Sequence, residues 1–152
     1  MNLGEIVGYR LDMARCAALR SVHRLLADSG YAPADTTALL LIRDLPGCDQ
    51  AELGRALAGN RSVGMRVASR LEARGLLVRG EGRDRRSKGL HLTAEGEAAL
   101  AALLPRHQEA EKRLAAALSP GERAALIGLL EKVERSVLDE EAALPPEGRK
   151  AT

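Results

Sequence analysis

Between Pro46 and Gly75 the sequence is punctuated so closely that it has room for two short helices and one turn. Pro46-Gly47 ends the helical pattern that precedes it. Asp49, with Glu52 three residues on, has the form of a capping box: the first side chain accepts from backbone N–H groups of the opening turn, and the second reaches back to the N–H of the cap. Leu53, Ala56 and Leu57 then give that helix an apolar face. Ala58-Gly59 interrupts it, and Asn60 is placed to cap the next helix. There Val63, Val67 and Leu71 recur every four residues along one face, Arg61, Met65 and Arg66 fall elsewhere, and Gly75 stops the helix. Two short helices joined by a tight glycine-containing turn form a helix-turn-helix candidate.

The rest of the chain is also predominantly helical by this reading. Apolar residues make up 45% of the 152, yet Phe and Trp are absent and the aromatic residues are Tyr9 and Tyr31. The apolar mass is Leu, Ala, Val and Ile. Leu and Ala lose little side-chain freedom in a helix, whereas sheet proteins draw more heavily on aromatic and β-branched residues. Near-helical spacing predicts a long first helix over 3–28 and a second from Pro33 through Leu45. Two short strands, 76–79 and 89–93, flank an arginine-rich tip at 80–88 and predict a β-hairpin wing. Thr93 is placed to cap a helix through Leu100, Leu103, Leu104 and Leu114, and Ser119-Pro120-Gly121-Glu122 opens a last helix with Leu126, Leu129, Leu130, Val133 and Val137 on one face. The proline-rich, polar stretch 144–152 reads as a flexible tail. The fold class expected is therefore mainly α with a small β-hairpin, organised as a winged helix-turn-helix over 33–93.

The formal net charge of +2 hides an uneven distribution. Residues 1–54 hold 5 Lys/Arg and 7 Asp/Glu, residues 55–91 hold 10 and 3, and residues 92–152 hold 8 and 11. A central block of net +7 between two acidic flanks is expected where one stretch faces phosphate, because a polyanion attracts local cations whatever the total charge. Cys16 and Cys48 are far apart and lack metal-ligand spacing, which argues against a disulfide framework and fits a reducing, cytoplasmic setting. No apolar run approaches the roughly 20 residues of a membrane span, and the first ten residues lack the pattern of a secretion signal.

Three phrases now line up in order: Arg70-Leu71-Glu72-Ala73-Arg74-Gly75-Leu76, then Asp84-Arg85-Arg86, then Leu90-His91-Leu92-Thr93-Ala94-Glu95-Gly96. Their order and spacing resemble the MarR family of winged helix-turn-helix regulators, whose members carry Arg-Leu-Glu-x-x-Gly-Leu after the helix-turn-helix, Asp-x-Arg in the wing and Leu-Thr-x-x-Gly after it. The resemblance implies a homodimer held by long N- and C-terminal helices, here 1–30 and 94–143, so that the whole chain forms one unit. It implies a regulator of the repressor type, binding a pseudo-palindromic site in double-stranded DNA and released by a small-molecule effector. Asn60, Arg61, Ser62, Met65 and Arg66 are expected on the recognition helix, and Arg83, Asp84, Arg85 and Arg86 in the wing. Gln50, Arg70 and Lys88 are expected at the phosphate backbone. Physically, Arg86 at a wing tip suits the negative potential of a narrow minor groove, with Asp84 orienting a neighbouring guanidinium. Two departures stand out: Gly64 where relatives tend to have a larger β-branched residue, and Met65 where a small hydroxyl residue is common. A helical glycine costs up to about 1 kcal/mol against alanine, which signals either looseness or a close approach.

For an effector, a small aromatic or phenolic acid is the class that the resemblance suggests, with Arg10, Arg15 and His23 of the first helix as candidate partners for its carboxylate. Cys16, beside Arg15 and Arg20, is the candidate for oxidant sensing, against the plainer reading of a small core residue. His107 and Glu111, with His23, do not amount to a metal cluster, and no cofactor is expected. The sequence has no phosphate-cradling glycine loop and no nucleophile with a base and orienter, so catalysis is not expected. The competing reading is a helical interaction module that uses the winged scaffold to dock a protein; the basic segment argues against it.

Overall fold

The computed structural model describes residues 2–83 and 88–143. The elements follow in the order α1 (Val7–Leu26), α2 (Pro33–Asp44), α3 (Gln50–Ala56), α4 (Arg61–Ala73), β1 (Leu77–Glu81), β2 (Lys88–Leu92), α5 (Ala94–Leu114) and α6 (Pro120–Ala143). The N-terminal segment differs from the single helix expected over 3–28. A turn of 3-10 helix, Leu3–Glu5, comes first, capped by the Asn2 side chain, and extended backbone at Ile6 separates it from α1. At the other end of the turn, Ile6 N closes on Leu3 O at 3.2 Å and Arg10 Nε takes Gly4 O at 2.8 Å, so these carbonyls are satisfied without a continuous helix.

The chain divides into two compact units, Met1–Leu114 and Ala115–Thr152. In the first, one apolar core is built from α1, α2, α3, α4, α5 and the hairpin; Leu26, Leu39, Ile42, Leu53, Leu71, Leu77, Leu90 and Leu100 are its large fully buried side chains. Each such leucine contributes roughly 1.5–3 kcal/mol by burial. Leucine dominates the core, and the aromatic side chain packed against it is the partly buried Tyr31.

The hairpin is shifted toward its tip relative to the strands 76–79 and 89–93 that the sequence suggests, running over Leu77–Glu81 and Lys88–Leu92. Leu77 pairs with Leu92, Arg79 with Leu90, Gly80 with Gly89 and Glu81 with Lys88. Gly80, Glu81 and Lys88 carry no apolar alternation to mark them, but backbone pairing continues through them because the ladder needs only N–H and C=O groups. A third strand-like segment joins it: Gly47 N donates to Leu90 O, and Leu90 N to Cys48 O, each at 2.9 Å. The wing is thereby sewn to the connection between α2 and α3.

In the second unit α6 opens as expected, with Ser119 Oγ accepting from Glu122 N at 3.3 Å and Glu122 Oε2 accepting from Ser119 N at 2.8 Å. Its Leu126, Leu129, Leu130, Val133 and Val137 are all 40–61% exposed in the chain. Among the described residues no helix is long and apolar enough to cross a membrane.

Candidate nucleic-acid interface

The recognition unit begins at Asp49. Its Oδ1 accepts from the N–H groups of Ala51 and Glu52, each at 2.8 Å, while Glu52 Oε2 accepts from Asp49 N at 2.8 Å. These bonds hold the Asp49 carboxyl below the ordinary carboxylate range, the bond from the Glu52 N–H being the leading cause. After α3 the chain reverses at Ala58, which takes a left-handed φ of 51°, and Gly59 N donates back to Gly54 O at 2.9 Å. Asn60 then caps α4, its Oδ1 accepting from Ser62 N at 3.0 Å and Val63 N at 3.2 Å.

The two helices cross in direct backbone contact. A β-carbon on Gly64 would run into the Gln50 carbonyl and lie 2.7 Å from the Gly54 nitrogen; one on Gly54 would run into the Asn60 carbonyl. Of the two meanings a helical glycine can have, Gly64 therefore marks close approach rather than looseness. Val67, Ala68 and Leu71 continue that face into the core. The opposite face, with Arg61, Ser62, Met65, Arg66 and Ser69, is exposed. Met65 is 50% exposed, a large apolar side chain among polar ones.

The wing is braced against this unit from its base. Arg83 Nη1 donates to Glu52 Oε1 at 2.9 Å, so one carboxylate serves both the cap of α3 and the wing. Arg79 of β1 donates to Glu72 at 2.9 Å and reaches Ser69 Oγ at 3.4 Å. The Gln50 carboxamide, with its oxygen turned to that guanidinium, accepts from Arg79 Nη2 at 3.2 Å. His91 Nε2 meets the Glu81 carbonyl at 2.8 Å. Lys88 is exposed, opposite Glu81 in the ladder. Asp84, Arg85 and Arg86 lie outside the described residues.

Of the residues expected at phosphate, Gln50 sits at the first turn of α3 beside Arg79, and Arg70 is engaged within the protein. The Arg70 guanidinium pairs with Asp35 of α2, which is almost fully buried. Sequence reasoning missed Arg74, Arg79 and Asp35, because nothing local marks an arginine whose partner lies seven to 44 residues away. The three effector candidates are not gathered into one site by their contacts. Arg10 Nε donates to Gly4 O at 2.8 Å, Arg15 pairs with Asp12 of its own helix, and His23 is exposed. Cys16 is half-buried on α1, whereas Cys48 is fully buried and its thiol is pushed up to about 11, chiefly by burial. No group of three His, Cys, Asp or Glu side chains is placed to hold a metal among the described residues.

Residues 29–87 match the sequence model of the MarR family. A transcriptional regulatory protein for the hcr operon of Thauera aromatica is 35% identical over 134 residues, covering 87% of this chain and 80% of that protein. Among solved structures, the regulator BpsR of Bordetella bronchiseptica, whose DNA binding is regulated by 6-hydroxynicotinic acid, superimposes with a TM-score of 0.78 at 27% identity, over 88% of this chain and 96% of that one. The transcriptional repressor CouR, solved on a 23-mer DNA duplex and with p-coumaroyl-CoA, is 32% identical with a TM-score of 0.75; its DNA-bound form is covered over 98% of its length by 88% of this chain. With its helix-turn-helix, hairpin wing and these relatives taken together, the chain belongs to the MarR family of transcriptional regulators.

Proposed function

We propose that the protein is a repressor that binds a pseudo-palindromic site in double-stranded DNA as a homodimer and is released by a small aromatic or phenolic acid. The observation that carries this reading is the outer face of α4. It is exposed, it lies in the segment of net +7, and it is carried on a helix whose inner face is fixed in backbone contact with α3. Asn60, Arg61, Ser62, Met65 and Arg66 line the major groove: the arginines bond guanine or phosphate, and the Met65 side chain meets apolar base edges. Arg83, held by Glu52, sets the base of the wing. Lys88 reaches phosphate, and Asp84, Arg85 and Arg86 bring the wing tip to the minor groove.

Homodimerisation is supported by the exposed apolar face of α6, which a single chain leaves facing solvent. The effector class is supported by the aromatic acid and the aromatic acyl thioester that BpsR and CouR respectively meet. The test is selection from random duplexes by the full-length protein. Two inverted half-sites, their centres about one helical turn apart at roughly 10 bp, are expected. A pool without enrichment would contradict the reading.

A further inference from the structure

The connection between α1 and α2 is gripped from two directions by arginines. From α5, Arg106 Nη1 donates to the Leu25 carbonyl at 3.1 Å and pairs with Asp28, whose carboxyl this bond holds below its ordinary range. From α4, Arg70 pairs with Asp35, and Arg74 at the C-cap donates to the Gly30 carbonyl at 3.1 Å. The Arg74 guanidinium also lies over the Tyr31 ring, 3.9 Å from its centre. Asp35 cannot turn to follow a displaced partner, because its second oxygen accepts from Ala32 N at 2.8 Å and the side chain is 3% exposed.

We propose that Arg70 and Arg74 are positioning residues for DNA binding: by clasping residues 30–35 they set the pitch of the recognition helix, and they do not neutralise phosphate. This rests on the DNA-binding reading above. A carboxylate withdrawn from water needs its cation in place, and Asp35 has Arg70 as that cation. Arg70 uses the Nε and Nη2 edge of its planar fork on one Asp35 oxygen, and Arg74 uses its flat guanidinium, donating from Nη1 to Gly30 while lying over Tyr31. Lysine keeps the charge but neither the fork geometry nor the stacking on Tyr31. A phosphate contact tolerates lysine, and a clasp does not.

The experiment measures affinity for the selected duplex by fluorescence anisotropy over a series of salt concentrations. The proteins are the wild type, Arg70→Lys, Arg74→Lys, Arg74→Ala and Tyr31→Leu, with circular dichroism and thermal melts to establish that each is folded at the assay temperature. Both lysine variants and Tyr31→Leu are expected to bind about three- to tenfold more weakly, with the slope of log K against log salt unchanged. Tyr31→Leu carries the proposal even if Arg70→Lys fails to fold, since it alters no charge. Lysine variants at wild-type affinity, with Arg74→Ala shallower in slope by about one, would make these residues phosphate contacts and overturn the proposal. Wild-type affinity in every variant would reduce the clasp to a stabilising feature and overturn it equally. In either case wild-type binding leaves the DNA-binding reading standing, whereas a wild type that selects no duplex defeats both.

Discussion

The backbone carbonyl of Gln50 occupies the place where a side chain at Gly64 would begin, so that α3 and α4 touch through their backbones at the middle of the helix-turn-helix. Two effects of opposite sign meet there. Replacing a helical glycine by alanine gains up to about 1 kcal/mol in helix propensity, whereas forcing an atom into a packed contact costs about 1–3 kcal/mol. The contact is with backbone, which cannot rotate away, so the second effect wins. Gly64→Ala is expected to lower the thermal midpoint by several degrees and to weaken DNA binding. A raised midpoint would show that the crossing is looser than described.

The cap of α3 makes stability depend on acid. Asp49 accepts two backbone N–H bonds, and its carboxyl lies below its ordinary value. A carboxyl depressed by folding contributes stability that is fully present above its unfolded pKa, near 4, and is lost as pH falls through the lower folded value. Urea melts between pH 7 and pH 2 are expected to show a decline that begins below about pH 4 and is reduced in Asp49→Asn. At neutral pH Asp49→Ala is expected to cost about 1 kcal/mol. An acid profile identical in Asp49→Asn and the wild type would remove Asp49 from this account.

Cys48 pairs its backbone with Leu90 and has a fully buried side chain, with the thiol raised to about 11. The thiolate is the reactive form, so this sulfur is expected to resist a disulfide reagent at pH 8 until the protein is unfolded. At most one thiol per chain, that of Cys16, should react in the native state. Two rapidly reacting thiols would contradict the burial.

Much of this was legible in the sequence because it is local. Asp49 with Glu52, Asn60, Gly75, Thr93 and Ser119 with Glu122 are signals whose partners lie within four residues, and the helix-turn-helix and the start of α6 follow from them. The order of the three phrases from Arg70 to Gly96 carried the family. What could not be read is non-local. From the sequence Arg70 reads as a phosphate contact and Arg83 as a wing contact; only the fold shows Asp35 brought to Arg70 from 35 residues away and Glu52 beneath Arg83. Gly64 is the intermediate case: the sequence shows that something special happens there, and only the crossing shows what.

The apolar face of α6 gives a prediction about assembly. Leu129 is 61% exposed in the chain, and Val133 lies one turn further along the same face. A glutamate at Leu129 puts a charge into any apolar interface formed there, at a cost of several kcal/mol if it remains unpaired. Sedimentation velocity is expected to give twice the chain mass for the wild type and a shift to monomer for Leu129→Glu, with a parallel loss of affinity for the two-half-site duplex. A Leu129→Glu protein that remains dimeric would move the interface elsewhere.

The central claim is that the outer face of α4 meets DNA, and the salt dependence of binding by an Arg61→Ala/Arg66→Ala double variant tests it most directly. Titrated with the selected duplex from 50 to 200 mM salt, the wild type is expected to lose about a thousandfold in affinity, as a protein with six or more phosphate contacts would. The double variant should bind about tenfold or more weakly at the low-salt end. Binding by the double variant as tight as the wild type, or a wild-type affinity indifferent to salt, would contradict the placement of DNA on this helix.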